Sequence, residues 1–396
     1  MAEVFHERLK SPIPTKELER RSAVLKKKLK ENNLDCMLVQ NITQYMGGAN
    51  RWLTDTTAEN QYPQSSFIAK DGRIGYIACS GPPLDLYPPS HLLRIGQPWD
   101  AAPYFSVFNY TWDWEGKLFG RWIEENKAKR VGVSSFSCMQ WNYLDYLRKN
   151  YPDVEFVDVS DLFDEARAVK SEDEKAFLAK TAAVLDKVMT YLPSLVQPGR
   201  YEYEVRDKAM QLVTDHGGEE MVIGIGGAAS GTPFKVYPSF FQNRLIAKGD
   251  EVYVKLECSG PGGMFATLGR MVSVAVDPSA DLLARWDKAV AAQDKMAELL
   301  VDGAAPESVL KSYNAYLKKA GFAEMDGVFA YGQGYDYIER PSIQKGETLP
   351  LAKDMCLAVN TNLTTSDSVV YAAESYFVGK KKAERLSKLP QHVIRS

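Results

Sequence analysis

The stretch NRLIAKGDEVYVKLECSGPGGMFATLGRMVSV, residues 243–274, decides the fold of the C-terminal part of the chain. It holds a long strand-like run, DEVYVKLECSG, and the start of a second, GRMVSVAV, with glycines between them. Successive side chains of a strand point to opposite faces, so Lys255 and Glu257 share one face.

Upstream, ARAVKSEDEKAFLAKTAAVLDKVMTYLPSL (166–195) reads as a helix. Ser171 is an N-cap with Glu174 three residues on, the pattern of a capping box. Phe177, Leu178, Val184, Leu185 and Val188 follow helical spacing, with Thr181 on the same face. A second helix, YEYEVRDKAMQLVTDHGG (201–218), ends in a Gly pair. Downstream, helices are expected at about 281–301 and 306–320, then the strand-like runs CLAVNTNL and VVYAAESYFV. Helices on one side of a mostly antiparallel sheet make an α+β domain, placed at 166–396. The N-terminal part alternates differently. Helix TKELERRSAVLKKKLKEN is followed by strand LDCMLVQN, hairpin SFIAKDGRIGYIAC, strand RVGVSS, helix CMQWNYLDYLRKNYP and strand VEFVDVSDLF. That order indicates an α/β domain at 1–160.

Bulk properties exclude several classes. Net charge is −3 and the pI about 6.0, which asks for neither nucleic acid nor an anionic membrane. The runs Lys26–Lys28 and Lys380–Lys382 are short and mixed with acidic residues. No apolar run reaches the roughly 20 residues that span a bilayer, and MAEVFHERLKSPIPTKELERR has no signal-peptide core. Cys36, Cys79, Cys138, Cys258 and Cys356 are odd in number and form no CxxC pair, as expected of reduced thiols in a cytoplasmic protein. GIGGAASG (224–231) lacks the P-loop and dinucleotide-binding spacings and reads as a substrate-facing loop or tight turn. The aromatic run YFSVFNYTWDW (104–114) reads as core or dimer packing.

Five segments together resemble the creatinase/aminopeptidase P/prolidase family, in its order. They are ARAVKSEDEKAFLAKTA, PGRYEYEVRDKAMQLVTDHGGEE, the 243–274 stretch, YGQGYDYIERPSI, and the pair MCLAVNTNL and AAESYFV. The resemblance implies an α/β N-terminal domain plus an α+β pita-bread C-terminal domain, and a homodimer. Metal-dependent members hold two divalent ions with two Asp, one His and two Glu, hard anionic oxygens plus an imidazole. Carried over residue by residue, the first Asp position is Lys255. The second is Ala266, or Thr267 with one gap. The His position is Tyr331, the first Glu is Asn360, and the last Glu remains as Glu374. One carboxylate does not hold two ions, and an ammonium repels them. No metal and no cofactor are expected. Creatinase works without metal, but Gly269 stands where its carboxylate would be, and no His takes the place of its base.

The resemblance therefore implies a metal-independent enzyme acting on a small polar molecule, nitrogen-bearing or carboxylated. C–N bond hydrolysis or lyase chemistry is the reaction expected. A non-catalytic peptide- or protein-binding module and an unorthodox metallopeptidase are the alternatives. Lys255, Tyr331, Glu374 and Glu257 are the expected catalytic group, with Glu374 or Glu257 beside the ammonium. Arg270 and Arg340 are read as a bidentate clamp for a substrate carboxylate. Tyr335, Glu339 and Asn360 complete the binding set, with Tyr62 and Gln64 from the N-terminal domain.

Overall fold

The computed structural model describes residues 11–41, 48–56, 64–79, 94–102, 113–134, 136 and 139–396. Tyr62 and most of the 104–114 aromatic run lie outside the described residues. The chain divides into two compact units, Met1–Arg167 and Ala168–Ser396.

In the first unit the elements are α1 (Thr15–Glu31), β1 (Cys36–Asn41), α2 (Gly48–Thr54), β2 (Gln64–Ala69), β3 (Ile74–Cys79), β4 (Gln97–Ala102), α3 (Trp114–Asn126), β5 (Arg130–Val133), α4 (Trp141–Asn150), β6 (Glu155–Asp158) and α5 (Ser160–Ala168). The expected boundary at 160 leaves out α5, which carries this unit to Arg167. The strands form a six-stranded mixed sheet in the order β4-β3-β2-β1-β5-β6. Helix α1 buries Leu18, Leu25 and Leu29, the helical stripe of its sequence. Phe67, Phe119 and Trp122 interlock under the sheet, with Phe67 and Trp122 centroids 5.0 Å apart.

One carboxyl in this core has no counter-ion among its hydrogen bonds. Glu115 accepts from Ser65 Oγ at 2.5 Å and from Gln40 Nε2 at 2.7 Å. Burial pushes it up to about 7, and the two hydrogen bonds offset only part of that. Its folded value lies above the ordinary 4.5, so its contribution is fully present below 4.5 and is lost as pH rises through about 7. The first unit is therefore expected to lose ~3 kcal/mol over that window through this group. Urea unfolding followed by tryptophan fluorescence at both ends of the window checks it. Glu115→Gln should flatten the difference.

The second unit runs α6 (Glu172–Met189), α7 (Leu192–Leu195), α8 (Glu202–Asp215), β7 (Met221–Ala229), β8 (Asp250–Ser259), β9 (Phe265–Ser273), α9 (Ala280–Leu299), α10 (Pro306–Lys319), β10 (Ala330–Gly332), β11 (Glu339–Ser342), β12 (Cys356–Thr364), β13 (Val369–Phe377), β14 (Glu384–Arg385) and β15 (Ile394–Arg395). The capping box forms as expected: Ser171 Oγ accepts from the Glu174 amide, and the Glu174 carboxylate accepts from the Ser171 amide. The strands make a nine-stranded sheet with the main path β11-β10-β12-β13-β9-β8-β7. All of its pairings are antiparallel except β15 with β9. Trp286, Ala289 and Met296 of α9 pack with Leu357 and Val359 of β12 and with Val370 and Ala372 of β13.

Most of GIGGAASG is strand: Gly224–Ala229 belong to β7, paired along its length with β8, and Ser230 and Gly231 make the expected tight turn. The strand glycines are there for close approach: a Cβ on Gly226 would sit 2.1 Å from the Lys235 carbonyl oxygen. Among the described residues no helix is long and apolar enough to cross a membrane. Cys36, Cys258 and Cys356 are free thiols in the interior.

Candidate active site

Register decides which side chains meet. Glu257 of β8 lies directly opposite Thr267 of β9, and Lys255 opposite Gly269. On the far side of the sheet Asn360 of β12 is opposite Ala373 of β13, which in turn is opposite Gly269. Directly opposed residues share a face, so Lys255, Glu257, Thr267 and Asn360 look the same way. Tyr331 of β10, opposite Ala358, joins them. Gly269 is small because the Tyr253 hydroxyl lies over it, 2.1 Å from where a Cβ would be.

The contacts agree with the register. Lys255 Nζ lies 2.6 Å from Glu257 Oε2, with the lysine side chain 21% exposed and the glutamate 4%. The Tyr331 hydroxyl donates to Glu257 Oε1 and accepts from Asn360 Nδ2 at 3.2 Å. The same Nδ2 reaches the Phe329 carbonyl at 3.3 Å, which fixes the amide's orientation. Asn360 Oδ1 is buried without a hydrogen-bond partner. Burial, and then the Glu257 charge, push the Tyr331 phenol well above its ordinary range. It is a proton donor here and not a base. Tyr337, half-buried, is raised by the same two causes.

Behind this cluster is a polar network that sequence reasoning missed. Gln333 Nε2 donates to Thr267 Oγ1 at 2.8 Å, and Ser375 Oγ donates to Gln333 Oε1 at 2.8 Å. The Thr267 amide donates to Ser375 Oγ at 2.8 Å. No local pattern marks Gln333 or Ser375; only the pairing of β9, β10 and β13 brings them together.

Several expected residues are placed elsewhere. Glu374 is opposite Leu268 and Val359, on the face covered by α9. It is wholly buried against Arg270, 2.7 Å away, and Arg385 lies 3.3 Å from the same oxygen. The Arg270 guanidinium is 5.9 Å from the Trp286 ring, on that same face. Neither Glu374 nor Arg270 is available to a ligand beside Lys255. Arg340 instead holds Glu347 at 2.5 Å. Burial raises Glu347, but Arg340 and the amides of Leu349 and Ser342 outweigh it and hold the carboxyl below its usual range. The Arg270/Arg340 clamp is therefore not formed. Tyr335 is 2% exposed and lies in the interior. Glu339 is also buried and pairs with Lys170 at 2.8 Å, anchoring the loop. Gln64 is buried in β2 opposite Asn41.

A sheet with helices on one face and this cluster on the other defines a pita-bread catalytic-type domain. A model of metallopeptidase family M24 matches residues 176–382, more than half of the chain, and one of the creatinase/prolidase N-terminal domain matches residues 21–169. The chain belongs to metallopeptidase family M24. It is 26% identical over 206 residues to a probable dipeptidase PepE of Mycobacterium tuberculosis; that match covers 52% of this chain and 54% of the relative, about half its length. It is 22% identical over 344 residues to an Xaa-Pro dipeptidase of Pyrococcus horikoshii, covering 83% of this chain and 93% of that one. Among solved structures, an X-Pro aminopeptidase from Thermotoga maritima MSB8 shares the fold with a TM-score of 0.77 at 15% identity, over 95% of this chain and 99% of that one. The prolidase of Pyrococcus horikoshii OT3 does so at 0.75 and 18%, over 95% and 100%.

The family implies a pair of divalent ions, and the side chains present do not fit them. Of the positions that the resemblance assigns to metal ligands, Lys255, Thr267, Tyr331 and Asn360 share the cluster's face, while Glu374 is on the other. Of the two residues the resemblance allows at the second Asp position, Thr267 lies opposite Glu257 and Ala266 opposite Cys258. Among the described residues no group of three or more His, Cys, Asp and Glu could hold a metal ion. Glu257 is the carboxylate of the cluster, and it is already held by an ammonium and a phenol.

Proposed function

We propose that this chain hydrolyses a C–N bond in a small amide of dipeptide size, without divalent metal. The observation that carries the reading is the Lys255–Glu257–Tyr331 cluster, with the ammonium partly open to solvent. The dipeptidase names of the relatives support the bond type.

Amide hydrolysis needs an activated water, a stabilised oxyanion and a proton for the leaving nitrogen. In this reading water oxygen bonds to the carbonyl carbon, and Glu257 takes the water's proton. The Lys255 ammonium faces the negative charge gathering on the carbonyl oxygen. The C–N bond then breaks, and the proton held by Glu257 goes to nitrogen through the Tyr331 hydroxyl. A carboxylic acid and an amine leave. The unpartnered Asn360 Oδ1 is an acceptor for a substrate N–H. Lyase chemistry with Tyr331 as base is not part of the proposal, because the phenol holds its proton. A cytoplasmic homodimer belongs to the same proposal, with Phe240 and Phe241, 90% and 66% exposed, as apolar surface for it.

The test is a panel of dipeptides and N-acyl amino acids offered to chelator-treated protein, with the released amine measured. Turnover should persist in chelator, and Tyr331→Phe should lower it by about 100-fold. Turnover that appears only on adding a divalent ion would sink the proposal. The closed Thr267–Gln333–Ser375 network favours a second reading, a binding module. Ligand binding without amine release in the same panel would select it.

A further inference from the structure

The loop between β10 and β11 carries Gln333 and Tyr337 and begins beside Tyr331, yet its backbone pairing is irregular. Tyr331 is opposite Ser342, whereas Gly332 is opposite Glu339, with a register shift between them. A regular ladder fixes register; a shifted one leaves the enclosed loop to be fixed by other contacts. The strongest candidate is an ion pair. Lys170 Nζ lies 2.8 Å from Glu339 Oε2, and both side chains are 2% exposed. The other oxygen, Glu339 Oε1, accepts from the Asp336 amide at 3.2 Å within the loop. Lys170 itself is fixed at the other end: its amide donates to the Asp354 carbonyl at 3.1 Å, and Ser171 beside it caps α6. The loop in turn meets the site, where the Phe265 amide donates to the Gly334 carbonyl at 2.7 Å and Gln333 Nε2 donates to Thr267.

We propose that Lys170 is a positioning residue. Through Glu339 it sets the register of the 332–339 loop and thereby the direction of the Tyr331 hydroxyl toward Glu257. A buried pair of this kind adds little net stability compared with apolar residues of the same shape, but removing one partner strands the other charge. A role in specifying one arrangement accounts for keeping such a pair 169 residues apart in sequence.

The test needs no substrate, so it fails or succeeds independently of the proposed reaction. Lys170→Met and Lys170→Arg are compared with the unaltered chain by amide hydrogen exchange and by the ζ-carbon resonance of labelled Tyr331. In Lys170→Met, exchange at amides 333–339 should speed up by about 100-fold or more while β8 and β9 amides keep their rates. The Tyr331 resonance should move, and Lys170→Arg should restore both. Unchanged loop exchange with an unmoved resonance overturns the proposal, and so does equal acceleration across the whole sheet. If Lys170→Met does not fold, Glu339→Gln takes its place. It removes the charge, keeps an acceptor for the Asp336 amide, and is judged by the same two readouts.

Discussion

Lys255→Met lowers kcat/KM by about 100- to 1,000-fold in the amide panel while the protein stays folded; this is the largest catalytic effect the site predicts. The ammonium is the cluster's fixed positive charge, and in the proposed reaction it faces the developing oxyanion. Methionine keeps the length of the chain and removes the charge. Its aliphatic part has room, since Gly224 lies directly opposite Lys255 and a Cβ there would be 3.6 Å from Lys255 Cε. Glu257 loses one partner and keeps the Tyr331 hydroxyl. The defect should therefore appear mainly in kcat/KM, with a modest change in Tm. Full activity in this variant removes Lys255 from the mechanism.

Arg270→Met has the opposite signature, a large loss of stability. Arg270 and Glu374 are both wholly buried, and removing the guanidinium leaves Glu374 with Arg385 on one oxygen and no partner on the other. Breaking such a pair costs about 3–5 kcal/mol, which for a unit of this size lowers Tm by roughly 10 °C. Burial already raises Glu374 above its ordinary value despite Arg270 and Arg385. A raised carboxyl is easier to bury protonated, so acidification should relieve part of the defect and alkaline pH deepen it. The double variant Arg270→Met, Glu374→Leu should recover most of the loss. Thermal unfolding of the two variants and the unaltered chain across pH checks each statement. Variants that unfold like the unaltered chain contradict the structural role assigned to this pair.

The two variants also show where sequence was readable and where it was not. Lys255 and Glu257 are two residues apart in one strand, and alternation alone places them together. Glu374 matches its motif by spacing, but its face depends on the pairing of β13 with β12 and β9, which the strand's own sequence does not encode. A one-residue step reverses the face. The same step separates Ala266 from Thr267, and the register places Thr267 opposite Glu257. The helices were more legible, because caps and apolar stripes are local: Ser171 and Glu174 announce α6. GIGGAASG misleads over its first six residues, because Gly224, Gly226 and Gly227 serve close backbone approach, while Gly231 is a turn glycine as expected. Lys170 and Glu339 belong to different motifs, and nothing in either motif pairs them.

The central claim is that this M24 site carries its own cation in place of a metal pair. Metal content measures it directly. The purified chain is loaded with excess Mn²⁺, Co²⁺ or Zn²⁺, freed of unbound ion, and analysed by mass spectrometry for metal per chain. The account predicts no stoichiometric metal under any loading, with Lys255→Met no different. One or two ions per chain, lost when Asn360 or Glu257 is replaced, would contradict it.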